Sequence, residues 1–502
     1  MGKRVTRSIL MGLLTVCMTV SIAACGNKPS SGSPTPQNSG GTPTGTATPE
    51  AKAPEVEKPK SITWFANIGL KEEYGFQEWN DEFERLTGIK MEHPHIIGNE
   101  YYQKLELSFT SNTMPDVFVV GITDGKLPLY VSQGAVLDLT DRIANSTVLD
   151  IPESVLESTR INGKLYGVPF EDNSGTVTYI RKDWLDKANL TVPTNYDEFL
   201  TMLRAFKNIQ DGAIPFTAPG LYADQAEIYL REFYQDASPE FVQDANGQWV
   251  DGMLQESMVN ALSRLQSAYG EGLIDMEVVT NKTSTCREKW YAGNVGVFNY
   301  WAGDWNINME DRVKDNNPDA VVVPISAISE TNYLKRVPVV MSISSQAKNP
   351  DGIFKYFIEY ANDKAEGSVL FQHGVENLHW KQEGENIVHL APAAAPTEVL
   401  AKAFISPVVG IAKITGANTT YKVDERVNNS LGILDTDGNQ LVGRPLSKTL
   451  SKVNADLVAL RDKTISSITL GIKGVDEGLA EYKTEVEKLG LATILEELNS
   501  GK

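Results

Sequence analysis

Pro115-Asp116-Val117-Phe118-Val119-Val120 places four large apolar residues in a row behind a proline and a carboxylate. A run this short and without alternation reads as a strand buried on both faces, as in the middle of a parallel sheet. The residues upstream supply the rest of such a sheet. Residues 61–67 are β-prone, and Phe76, Trp79, Phe83 and Leu86 then recur at three and four, the period of a helix with one apolar face, until Gly88 stops it. A second strand over 89–96 and a helix over 101–111 follow. This strand, helix, strand, helix, strand order predicts a doubly wound α/β lobe. Downstream the alternation continues, with strands over 168–170, 176–180, 295–300 and 321–325, helices over 195–208, 225–234 and 254–269, and a mainly helical C-terminal third.

Ahead of this body the character changes. Residues 26–60 hold seven prolines among small and polar residues and no aromatic. Such a segment cannot build a core and reads as a disordered tether, which as a coil would span about 30–35 Å. Before it, Lys3, Arg4 and Arg7 precede an apolar run over 9–20, the pattern of a secretory leader ending at residue 24. That run is shorter than the roughly 20 residues that span a bilayer. Ile22-Ala23-Ala24-Cys25 resembles the bacterial lipobox. The resemblance implies that Cys25 is acylated and, as the mature first residue, anchors the body to a membrane.

Composition excludes several classes. With 41% hydrophobic and 22% charged residues in 502, the body is globular. Its formal charge of −19 becomes more negative still once the basic leader is removed, which sets it against nucleic acid. Of three cysteines only Cys286 lies in the body, so no intrachain disulfide or cysteine zinc site is available, and a buried thiol is expected. The nucleophile-elbow, phosphate-loop, dinucleotide and zinc-protease motifs are absent from the sequence. His93-Pro94-His95 reads as packed or solvated side chains rather than a metal site.

A longer pattern then emerges. Ser61-Ile62-Thr63-Trp64, Met114-Pro115-Asp116-Val117, Gln133-Gly134-Ala135-Val136-Leu137-Asp138-Leu139-Thr140 and Asn162-Gly163-Lys164-Leu165-Tyr166-Gly167-Val168-Pro169 come in that order. Arg181-Lys182-Asp183-Trp184-Leu185, Pro193-Thr194-Asn195-Tyr196-Asp197-Glu198-Phe199, Glu271-Gly272-Leu273-Ile274-Asp275 and Gly293-Asn294-Val295-Gly296-Val297 continue it. Over residues 61–495 this resembles the family 1 extracellular solute-binding proteins, in particular the lipoprotein branch of Gram-positive bacteria that serves sugar importers. The resemblance implies a two-lobed, periplasmic-binding-protein-like α/β fold of type II, each lobe a sheet flanked by helices, with the ligand in the cleft between them. It implies a monomer on the outer face of the cell membrane that hands a carbohydrate to the permease subunits of an ATP-binding-cassette transporter, with no catalysis and no cofactor. Lobe one is expected over 61–169 with 325–392, and lobe two over 170–324 with 393–502. Relatives often carry an acidic calcium loop after the helix that follows the Pro-Thr segment. Here Lys207-Asn208-Ile209-Gln210-Asp211-Gly212 has too few carboxylates, so no metal is expected. Asp435-Thr436-Asp437-Gly438-Asn439 reads as a hairpin turn.

Ligands of open α/β sheets bind at the carboxyl ends of strands, and indoles suit the CH faces of sugar rings. Trp79 and Trp184 read as core. Trp64 and Asn67 lie near the end of the first strand, where cleft and core are both open for the indole. Tyr300-Trp301-Ala302-Gly303-Asp304-Trp305 follows a buried strand, so Trp301, Asp304 and Trp305 are ligand candidates; the alternative makes Asp304 a helix cap and packs Trp305 inward. Asp172 and Asn173 after the first crossing, Tyr222 and Asp224 before a helix, and Glu376 and Trp380 in a later loop complete the set. A non-sugar ligand such as a peptide or lipid precursor, and a polysaccharide lyase or hydrolase, are the alternatives.

Overall fold

The computed structural model describes residues 56–66, 70, 72–94, 96, 100–123, 125–172, 174–222, 227–391, 404–412 and 420–500. Cys25, Asn67, Asn173 and Asp224 lie outside these. The strand Val117–Val120 sits in the middle of a five-stranded sheet of order Lys90–Glu92, Ser61–Phe65, Val117–Val120, Val340–Ile343, Val168–Pro169. Ser61–Phe65 runs parallel to both of its neighbours, while Val340–Ile343 enters antiparallel between Val117–Val120 and Val168–Pro169. The helix Phe76–Thr87 buries Phe76, Trp79 and Phe83 on this sheet. It ends at Gly88, whose φ of 70° lets its N–H close on the Glu84 carbonyl, a turn that a side chain would strain. The Trp79 indole N–H donates to the Leu370 carbonyl at 3.0 Å, which ties the helix to a segment far along the chain.

A second sheet has the order Val322–Ile325, Thr176–Arg181, Val295–Trp301, Ile214–Thr217. Its central strands are buried throughout, apart from Trp301 at the end. Asn195 caps the helix Tyr196–Phe206 by accepting from the Glu198 N–H, while the Glu198 carboxylate accepts from Thr194, a reciprocal cap. The C-terminal helices Lys448–Thr469, Val475–Lys488 and Leu491–Asn499 pack on this sheet's core through Leu457, Ile465, Ile468, Tyr482, Ile494 and Leu498. A buried polar knot reinforces them: Arg461 meets Glu240 at 2.9 Å and Asp251 at 3.5 Å, and the Tyr482 hydroxyl donates to Asp251 at 2.8 Å.

Three passages join the sheets. Phe170 belongs to the first core and Val177 to the second, so the first passage lies between them. The second comes later than expected, because Ile325 and Tyr333 are still in the second core and Val337 is the first residue back in the other lobe. Pro324 lies on an edge strand paired only with Thr176–Arg181, where a missing N–H is tolerated. The third passage also comes later than residue 393, since Ile405 packs in the first core and Leu434 is the residue that enters the second. Residues 435–439 form no hairpin turn. They are the end of the helix Glu425–Asp437 and the start of the strand Gly438–Gln440, which pairs parallel with Tyr333–Lys335. Gly438 fits there because a Cβ would lie 2.3 Å from the Leu434 carbonyl oxygen. Of the helix expected over 225–234, only Arg231–Tyr234 is formed among the described residues.

Candidate ligand-binding site

The first and third passages border an open cavity of about 630 Å³. Asp172 of the first passage lines it, with Gln372 and His373 at the end of the helix Glu366–His373, Val408 to Ile411 of the third passage, Tyr421, and Asn428 and Asp435 of the helix Glu425–Asp437. The first and third passages run side by side. The Asp172 N–H donates to the Val409 carbonyl at 2.7 Å and the Ile411 N–H to the Phe170 carbonyl at 3.2 Å. Gln372 clamps them from lobe one, its amide donating to the Ala412 carbonyl at 2.6 Å.

Tyr421 supplies the aromatic face. Its ring lies 5.1 Å from the imidazole of His373 and 4.8 Å from that of His389, and the two imidazoles share a hydrogen bond of 2.9 Å between Nδ1 and Nε2. Burial, with Asp304 and Asp424 close by, pushes the Tyr421 hydroxyl up to about 12. It is therefore neutral near pH 7 and able both to donate and to accept. Asp150 and Asp435, also on the wall, are held by Lys364 at 2.7 Å and Lys335 at 2.9 Å.

The residues singled out from the sequence are distributed unevenly around this cavity. Asp172 lines it. Trp301 is half-buried at the end of its strand, beside the first passage, with the Arg336 guanidinium 5.7 Å from its ring centroid, but it is not part of the cavity wall. The turn after it backs that wall: the Gly303 N–H donates to the Ser430 hydroxyl, and a Cβ on Gly303 would lie 3.7 Å from Leu431 and 3.8 Å from Val408, both wall residues. Asp304 occupies the cap position of the helix Trp305–Lys314 without a side-chain cap bond and stands near Tyr421. Trp305 is half-buried, edge-on to Tyr300 at 4.9 Å and covered by Arg287 at 5.2 Å.

Four of the ligand candidates stand away from the cavity wall. Trp64 is fully buried among Trp79, His93, Phe357, Phe371 and Phe404, because Ile62, Trp64 and Ala66 alternate onto the inner face of their strand. Tyr222 is packed in the core of the second sheet. Trp380 is buried as the anchor of a small hairpin, its indole N–H bonded to the Gly374 carbonyl at 2.9 Å, while Glu376 is exposed and lines no part of the cavity. Cys286 is buried, as expected, and burial pushes its thiol up to about 11. Sequence reasoning missed Tyr421, His373 and Gln372. The available signal was Phe371-Gln372-His373-Gly374, an amide and an imidazole ending an apolar helix ahead of a glycine with φ of 76°.

Among the described residues no group of three or more His, Cys, Asp or Glu could hold a metal ion, and no helix is long and apolar enough to cross a membrane. Comparison with known proteins places this architecture. Lipoprotein LipO of Bacillus subtilis (strain 168) is 22% identical over 320 residues, covering 59% of this chain and 63% of LipO, so the match spans less than two thirds of that relative. The crystal structure of the alginate-binding protein AlgQ2 without calcium ion superposes with a TM-score of 0.64 at 18% identity, covering 89% of this chain and 98% of AlgQ2. FusA of Streptococcus pneumoniae, an ABC-transporter substrate-binding protein in complex with kestose, gives 0.64 at 18% identity over 88% of this chain and 98% of FusA. These likenesses establish the two-lobed type II α/β fold. The family model of bacterial extracellular solute-binding proteins matches residues 69–367, more than half of the chain, and the protein belongs to that family.

Proposed function

We propose that this protein is the lipid-anchored receptor of an ATP-binding-cassette importer and captures a carbohydrate, an oligosaccharide, between its lobes. The observation that carries this reading is the cavity itself. Its volume lies within the roughly 300–1,000 Å³ of small-molecule sites, and it is walled by two inter-lobe passages, a tyrosine face and neutral or acidic hydrogen-bonding groups. A sugar ring offers CH groups to Tyr421 and hydroxyls to Asp172, Asn428 and Asp435. Because the wall is contributed by both lobes and the passages between them, a bound sugar would favour the closed arrangement by its differential contacts. The structural relatives are named for binding alginate and kestose, both carbohydrates, and are named as binding proteins rather than enzymes. Anchoring rests on the lipobox at Cys25, on the proline-rich tether, and on a relative that is named as a lipoprotein. The test is a thermal-shift screen of mono- and oligosaccharides beside a turnover assay on the same sugars. A saturable shift without product supports the reading; product formation, or a shift from peptides alone, overturns it.

A further inference from the structure

We infer that the cleft selects a neutral glycan and rejects one that carries uronic-acid carboxylates. This rests on the carbohydrate reading above and narrows it, since the structural relatives include one named for alginate, a polyuronate, and one in complex with kestose, a neutral sugar.

A carboxylate taken out of water must be met by a cation or by several N–H donors. Among the described residues the cavity wall contains three carboxylates, Asp150, Asp172 and Asp435, and neither lysine nor arginine. The ammonium groups close by lie off the wall and are engaged, Lys364 with Asp150 and Lys335 with Asp435. Arg336 lies over the Trp301 ring, also off the wall.

Backbone donors are equally committed, and this second observation is independent of the first. A loop such as 408–411 could form an anion-binding nest if its N–H groups pointed inward. Here the Gly410 N–H bonds to the Ser406 carbonyl at 2.9 Å and the Ile411 N–H to Phe170 at 3.2 Å. The Val408 N–H goes to the Ser406 hydroxyl at 3.3 Å, and the Asp172 N–H to Val409 at 2.7 Å. Gln372 has spent an amide hydrogen on Ala412. The side-chain donors left on the wall, the Tyr421 hydroxyl and the Asn428 amide among them, are neutral, which suits a ligand of hydroxyls, while the wall's carboxylates set like charge against an anionic one.

The test uses the full mature chain at neutral pH. Raffinose, kestose, diacetylchitobiose, maltotriose, trigalacturonate and trimannuronate are screened by thermal shift. The neutral sugar with the largest shift is then compared by calorimetry with its derivative in which one primary alcohol is oxidised to a carboxylate. The oxidised sugar should bind at least about tenfold more weakly, since like-charge juxtaposition at an interface costs several kcal/mol. Asp172→Asn should narrow that ratio. Equal or tighter binding of the oxidised sugar, or a uronate as the strongest ligand of the panel, overturns the inference and leaves the carbohydrate reading standing. If neither class shifts the melting point, the carbohydrate reading falls and takes the inference with it. The sugar comparison is made on unaltered protein, so it decides the matter even if the variant does not fold.

Discussion

The end of the strand Val295–Trp301 and the third passage between the lobes face the same task with different materials. At the strand end two indoles each lie under a guanidinium, Trp301 beneath Arg336 and Trp305 beneath Arg287, and Tyr300 packs edge-on to the second. At the passage a single tyrosine meets two paired imidazoles and opens onto the cavity. The first cluster is rich in the residues that usually mark a sugar site, yet it stands outside the cavity wall. What positions a side chain in this cleft is the chain's passage between lobes, and aromatic content alone does not.

This contrast can be broken at three points, of which Trp64 should give the largest effect. Its ring fills the first core, so Trp64→Ala should cost about 3–5 kcal/mol in denaturant unfolding and leave affinity near normal in the folded fraction. Loss of binding with unchanged stability would return Trp64 to the cleft. Trp301→Ala comes next. It removes a half-buried ring and its contact with Arg336, worth about 0.5–1 kcal/mol, and because Trp301 lies beside the first passage, affinity should fall by about the same amount in calorimetry. A loss of several kcal/mol would move the centre of binding to the strand end. The smallest effect concerns pH. A tyrosine whose folded value is raised is stabilising below the unfolded value near 10, and that contribution is lost as pH rises towards about 12. Affinity that depends on the neutral Tyr421 hydroxyl should therefore stay flat from neutral pH to about pH 9. A decline within that range, followed by titration calorimetry, would mean that the hydroxyl ionises more easily than its buried setting implies.

Much of the fold could be read from local signals. The apolar period of Phe76, Trp79 and Phe83 and the stop at Gly88 place one helix to within a residue, and Val117 to Val120 place the central strand. These features depend on neighbours in sequence. The second passage was harder to read, because a strand over 321–325 does not by itself say which sheet takes it up, and only the pairing of Val323 with Ile180 decides that. Trp64 was open between cleft and core because it lies near the strand's end, and the two-residue alternation of its strand turns the ring inward. The cleft was the least legible part. Asp172, His373 and Tyr421 come from three distant segments that meet only because the passages lie side by side, and nothing local to Tyr421 marks it as different from a surface tyrosine.

The central claim, that the inter-lobe cavity is the sugar site and Tyr421 its stacking face, is tested most directly by calorimetry and denaturant unfolding on Tyr421→Ala with the best ligand from the screen. A desolvated aromatic contact of this kind contributes about 2–4 kcal/mol to binding, so the dissociation constant should rise accordingly while the unfolding midpoint changes little, because the ring lines an open cavity and its removal leaves no closed void. An unchanged dissociation constant beside a lowered midpoint would contradict the account and make Tyr421 a packing residue.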